Sequence, residues 1–179
     1  MAIDKIQSES INLADNFAFT GTVTGAGETN APSFSASITS NQSITNNSET
    51  KVAFATEQYD TGSDYDTSNY KFVAPSAGKY FFSTFIMAQA EGTVLSNAYV
   101  GFKINGSIKQ RPFWYSGSAT TNIFNSISYL PMNISCCYNL SANDYVEVFV
   151  YLAHSAGGGT HILFPSENNS HFSGFKISS

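Results

Sequence analysis

Between Lys79 and Gln89 the chain reads Lys-Tyr-Phe-Phe-Ser-Thr-Phe-Ile-Met-Ala-Gln. In an extended strand, successive side chains point to opposite faces. Tyr80, Phe82, Thr84, Ile86 and Ala88 therefore share one face, and Phe81, Ser83, Phe85, Met87 and Gln89 share the other. Both faces are largely apolar, whereas an antiparallel sheet usually leaves one face to water. Such a strand demands cover on both sides. The domain's own core supplies one cover, and the simplest source of the second is another subunit. Tyr80, Phe82, Phe85 and Met87, with Phe172 and Phe175 from the last apolar segment, are expected in the core or at a subunit contact.

The rest of the chain agrees with an all-β reading. Charged residues make up only 12% and aromatics 15% of 179 residues, and no apolar i, i+3, i+4 pattern is sustained over three turns. Strands joined by tight turns are the favoured outcome. Strand-like segments recur at Phe34–Ile38, Lys51–Thr56, Tyr70–Val73, Lys79–Gln89, Tyr99–Asn105, Ile123–Leu140, Tyr145–Ala153 and His171–Ile177. No helical segments separate them, so a βαβ fold is excluded and a sandwich or jelly roll is expected. The length suits one domain, assigned to residues 33–179. Residues 1–32 read as an appendage: Phe17, Phe19 and Val23 alternate with Ala18, Thr20, Thr22 and Thr24, and Asn30-Ala31-Pro32 marks a linker. This short strand has no core of its own and must dock on something else.

Composition also bounds function. Eight Lys and Arg against thirteen Asp and Glu give a net charge of −5, so there is no concentrated basic patch for nucleic acid. No run approaches the ~18 apolar residues of a membrane span, and the N-terminus lacks the pattern of an ordinary secretory signal. Cys136 and Cys137 are adjacent, so they point to opposite faces of a strand and form no disulfide framework. Cys136 is expected toward the core, Cys137 away from it. Pro131 gives no N–H to a ladder and marks an edge or a bulge.

Three ordered motifs carry a resemblance. Phe54, Asp60, Tyr65 and Phe72 are followed by Gly78-Lys79-Tyr80-Phe81-Phe82; Leu140-Ser141-Ala142-Asn143-Asp144-Tyr145-Val146 comes next, and His171-Phe172-Ser173-Gly174-Phe175-Lys176-Ile177 ends the chain. Together they resemble the globular-head domain of the C1q/tumour necrosis factor superfamily over Ser33 to Ser179. Asn143 stands where that family usually has Gly, and Thr84 where it usually has an aromatic residue. The resemblance implies an antiparallel ten-stranded jelly-roll sandwich assembled as a homotrimer, whose loops and outer faces bind partners without catalysis. Ile11 to Gly25 in turn resembles segments of tail and other structural proteins of marine bacteriophages. The combined expectation is a non-enzymatic structural protein of a bacteriophage virion, a tail or head fibre or appendage. Residues 1–27 would bind other virion proteins, and the head would contact a host surface glycan or receptor. A secreted or surface-displayed bacterial C1q-like binding module is the alternative, and a glycan-acting enzyme the outsider.

Local chemistry adds few candidates. Asp60, Asp64 and Asp66 offer hard oxygen ligands for Ca²⁺, although a solvated Gly-containing turn explains them more simply, and no cofactor is assigned. His154, His161 and His171 lack the short spacings of a zinc site. There is no Gly-x-Ser-x-Gly elbow, and a core-facing Cys136 is a poor nucleophile, so no catalytic residue is assigned. Arg111-Pro112-Phe113-Trp114-Tyr115 is the densest aromatic group. Arg111, Phe113, Trp114 and Tyr115 are the ligand-binding lead, because Arg and aromatic residues dominate binding hot spots.

Overall fold

A computed structural model describes residues 32–90, 95–116, 129–154, 161–164 and 170–178. Its strands in chain order are β1 (Ser33–Ser37), β2 (Gln42–Ile44), β3 (Ser48–Lys51), β4 (Thr56–Asp60), β5 (Tyr65–Asp66), β6 (Lys71–Val73) and β7 (Gly78–Ala90). These are followed by β8 (Leu95–Ile104), β9 (Ser107–Ser116), β10 (Tyr129–Leu140), β11 (Tyr145–His154), β12 (His161–Phe164) and β13 (His171–Ser178). All pairings are antiparallel and fall into two sheets. In sheet I, β7 is central: β10 runs along one edge, while β13 and then β12 occupy the other. β13 continues to β1 and β4, and β12 to β2. In sheet II, β11 pairs β8 on one side and β6 and β3 on the other, with β9 beyond β8 and β5 beyond β6. The described strands number thirteen; the ten-strand expectation is exceeded by short pieces such as β2, β5 and β6.

The core lies between the sheets and is built from the motif aromatics. Phe34 stacks on Tyr65 and Phe72 at centroid distances of 5.0 and 4.9 Å and meets Phe172 edge-on at 4.9 Å. Phe172 also packs against Phe54, Phe82 and Phe102. Offset and edge-on ring pairs contribute beyond their buried area. The motif spacing now has a physical basis. Tyr65 Oη donates to Phe54 O at 2.9 Å and Tyr65 N to Asp60 Oδ2 at 2.8 Å, so Phe54, Asp60 and Tyr65 form one fixed corner. Gly174 faces the core opposite Phe82, where a Cβ would lie 2.5 Å from Phe82 Cδ1. Only glycine lets that ring approach. Thr84 is buried in this aromatic layer, its hydroxyl satisfied by His171 O at 2.7 Å.

One expected strand is redrawn. Lys51–Thr56 is not a single strand: β3 ends at Lys51, β4 begins at Thr56, and residues 52–55 cross between the sheets. Val52 and Phe54 are fully buried, which mimics strand alternation. The crossing backbone is satisfied by other means. Val52 N donates to Val148 O, and the Gln42 side chain bridges Lys51 O and Ala53 N at 2.7 and 2.8 Å. β9 was not among the expected strands.

Pro131 lies on β10, which pairs only β7 among the described strands. Its partner, Met87, donates its backbone N–H away from β10, to Ser170 Oγ at 3.1 Å. The two residues therefore form a non-hydrogen-bonded pair, in which a missing N–H breaks nothing in the ladder.

Candidate functional site

The outer face of sheet I carries the second half of the two-sided strand. Tyr80, Phe82 and Phe172 are fully buried on the core side. Phe81, Phe85 and Met87 face outward and are half-buried, while Phe175, Ile177 and Tyr129 are 37%, 48% and 52% exposed. Strand register arranges these residues in rows. One row runs Phe175–Phe81–Cys137 and another His171–Phe85–Asn133; between them lies Ser35–Ser173–Ser83–Ser135. Phe81 and Phe175 rings are 5.3 Å apart, and Phe85 stacks on His171 at 6.4 Å. The face is thus two aromatic ridges flanking a groove of serines. The serine row was invisible in the sequence, because it requires the register of four strands. Cys137 is exposed on this face, Cys136 is half-buried on the core side, and neither is in a disulfide.

Sheet II treats its outward rings differently. Tyr99 and Phe149 are only 6% and 1% exposed. Tyr151 stacks flat on Tyr99 at 4.6 Å, and Lys103 Nζ sits 4.9 Å above the Phe149 ring. Lys103 pairs with Glu49 at 3.1 Å, Tyr99 Oη donates to Glu49 Oε1 at 3.1 Å, and Lys51 pairs with Glu147 at 2.8 Å. Among the described residues, Tyr99 and Phe149 on this face are roofed by polar side chains, with Ile108 37% exposed beside them, and the rings of sheet I have no such roof.

Arg111, Phe113, Trp114 and Tyr115 fall on β9, where Trp114 pairs in register with Tyr99, Phe113 with Val100 and Tyr115 with Ala98. Their side chains lie outside the described residues, as do those of His154 and His161 and the whole of residues 1–31.

Asp60, Asp64 and Asp66 sit at one pole of the sandwich. Asp60 accepts from Gly62 N and Tyr65 N, and Asp66 from Ser68 N, Asn69 N and Asn69 Nδ2. Two of the three carboxylates thus shape turns. Among the described residues no group of three or more His, Cys, Asp or Glu is arranged to hold a metal ion. Asp64 and Asp66 border a groove of about 390 Å³, closed by Ala74, Pro75 and Asn143. Asn143 is in the left-handed region at φ 70°, as expected for a residue replacing glycine.

The same pole holds carboxylates that titrate in opposite senses. The Asn69 side chain and backbone hold Asp66 below the ordinary carboxylate range, and the Asn105 side chain with Ser141 N does the same for Asp144. Burial, reinforced by Asp60, pushes Asp64 up. A lowered folded pKa stabilises above the unfolded value of ~3.9, and this is lost as pH falls through the folded pKa; a raised one costs nothing below ~3.9 and destabilises as pH rises from there through the folded pKa. In thermal melts from neutral pH to about pH 2, Asp144→Asn is expected to lower Tm most at neutral pH and least in acid. Asp64→Asn should instead raise Tm at neutral pH, with no gain in acid. Curves parallel to wild type for either variant would contradict the assignment.

Two antiparallel sheets with an aromatic core, joined in this order, define a C1q/tumour necrosis factor-like jelly roll. The model of the C1q domain matches residues 33–177, and the chain belongs to that family. Among solved structures, the globular domain of zebrafish complement 1qA protein superposes with a TM-score of 0.54 at 15% identity, covering 82% of this chain and 96% of that one. Murine APRIL at pH 8.0 gives 0.55 at 13% identity over 82% and 98%. Eiger TNF from S. frugiperda gives 0.50 at 14% over 82% and 90%. At these identities the likeness is one of fold. No curated protein sequence matches the chain. Members of the family are generally non-enzymatic binding modules, and its homologues form homotrimers.

Proposed function

We propose that this chain is the non-enzymatic, homotrimeric C1q-like head of a bacteriophage tail or head appendage. The observation that carries the trimer is the contrast, among the described residues, between the two outer faces: sheet II covers Tyr99 and Phe149 with Lys103 and Glu49, whereas sheet I leaves Phe81, Phe85, Met87, Phe175 and Ile177 for another surface to cover. Large apolar ridges left uncovered on a folded domain mark an interaction site. Support for the virion comes from Ile11 to Gly25, whose Thr/Gly-rich alternation resembles structural segments of marine phages. In this reading residues 1–27 attach the head to other virion proteins, and the free pole with its loops meets a host surface glycan or receptor. The same module can also work as a secreted or cell-surface binding protein. That second reading is favoured by the family match at 33–177, which does not involve the N-terminal segment.

Deleting residues 1–27 tests the division of labour. The shortened chain is expected to remain a folded trimer by light scattering, and purified particles made with it should lack the protein. A shortened chain that still enters particles would remove the attachment role. Wild-type particles without the protein would leave only the secreted or surface module.

A further inference from the structure

Asn105-Gly106 is the single Asn-Gly pair in the sequence, and it forms the exposed tight turn between β8 and β9. Asn105 and Gly106 have φ of 52° and 74°, the double left-handed conformation that selects Asn-Gly in a two-residue hairpin. Asn-Gly is also the dipeptide whose side-chain amide is most open to attack, because glycine places no side chain beside the nucleophilic backbone nitrogen. An exposed Asn-Gly would ordinarily be expected to react.

The fold denies it that freedom. Asn105 Nδ2 donates to Asp144 Oδ1 at 2.7 Å, and Asn105 Oδ1 accepts from Tyr145 N at 3.0 Å. Both ends of the amide are thereby held across to the β10–β11 turn, while Asn105 N donates to Tyr145 O at 3.0 Å. Asp144 is itself fixed, its Oδ2 accepting from Ser141 N at 2.8 Å. The carboxylate acceptor makes the first of these a charge-assisted bond, stronger than a neutral one.

We propose that Asn105 is a latent deamidation site, kept unreactive in the folded protein by the grip of Asp144 and Tyr145 on its side chain. Reaction requires the turn to detach. The Gly106 backbone nitrogen then bonds to Asn105 Cγ, the Cγ–Nδ2 bond breaks, and Nδ2 leaves as ammonia with the proton that Gly106 N gives up. Water opens the resulting five-membered imide at either carbonyl, yielding aspartate or isoaspartate. The product cannot refit. A carboxylate at position 105 would face Asp144 without a proton to share, and isoaspartate adds a carbon to the turn backbone. Opening of this turn is thus recorded irreversibly.

The test is peptide mass mapping of residues 105–106 during incubation at mildly alkaline pH, following the exchange of one ammonia for one water. Native wild type is expected to react at least about tenfold more slowly than the same chain unfolded in urea, since a hydrogen bond to a charged group must be broken first. Folded Asp144→Ala should close most of that gap. Equal rates for native and urea-unfolded wild type would overturn the proposal. So would an Asp144→Ala chain that melts cooperatively yet reacts as slowly as wild type. If that variant fails to fold, the native-versus-urea comparison decides alone.

Discussion

Phe172→Ala is expected to remove about 3–5 kcal/mol of folding free energy, the range for a buried phenylalanine whose cavity cannot collapse. Few single changes should do more to this domain. The Phe172 ring is fully buried and lies within 4.9–6.1 Å of the rings of Phe34, Phe54, Tyr65, Phe82 and Phe102. Those neighbours come from both sheets and from the crossing segment between them. They are rigid rings held by backbone register, and Tyr65 and Asp60 fix their corner, so they have little means of closing over the hole. Against a total stability of ~5–15 kcal/mol, the loss would leave the variant partly unfolded in water or shift its urea midpoint far to the left. Equilibrium urea unfolding at matched protomer concentration measures it, because association also stabilises the native state. Phe175→Ala, three residues away, removes a ring that is 37% exposed and should change the stability of a dissociated chain by less than about 1 kcal/mol. Similar losses for the two variants would mean that the ring hub is not the centre of the core.

What could be read in advance depended on whether the information was local. The alternation of Leu130, Met132 and Ile134 with Pro131, Asn133 and Ser135 placed each side chain on its proper face, because a strand's two faces are fixed by a period of two. Asn143 showed its left-handed conformation in the same local way. β9 escaped because Lys109, Arg111 and Pro112 interrupt any apolar pattern, although Tyr99, Val100 and Phe102 of β8 provide its partners. Lys51–Thr56 misled for the opposite reason: Val52 and Phe54 alternate like a strand, but what they fill is the space between the sheets. The candidate site divides along the same line. Phe81, Phe85 and Met87 were legible as a second apolar face. The serine groove exists only once four strands are in register, and the ion-pair roof of Lys103 and Glu49 over Phe149 only once three are. No single segment encodes them.

That roof bears on the second large effect, loss of assembly. Phe85→Asp combined with Phe175→Asp is expected to convert the proposed trimer into a monomer of 19.3 kDa while leaving a cooperative melt. Both residues face outward from sheet I, one half-buried and one exposed even without a partner. Their replacement leaves Phe34, Phe82 and Phe172 untouched in the core. At a closed contact each lost ring forfeits roughly 1.5–3 kcal/mol of burial, and each new carboxylate would need desolvation worth several kcal/mol. Among the described residues that face carries His171, stacked on Phe85, and Lys79, two residues from Phe81 on the same strand face; these do not repay the desolvation of two carboxylates at a closed contact. Symmetry repeats the penalty in every subunit. The matching change on sheet II, Lys103→Ala, breaks the Glu49 pair and uncovers Phe149, yet should leave the mass unchanged because Tyr99 still packs against Phe149 and Tyr151 there. Light scattering of the two variants beside wild type separates the possibilities. If the sheet I variant keeps the trimer mass and Lys103→Ala loses it, the chains meet through sheet II. A wild-type protein that is already monomeric would mean that the aromatic ridges of sheet I serve some other partner.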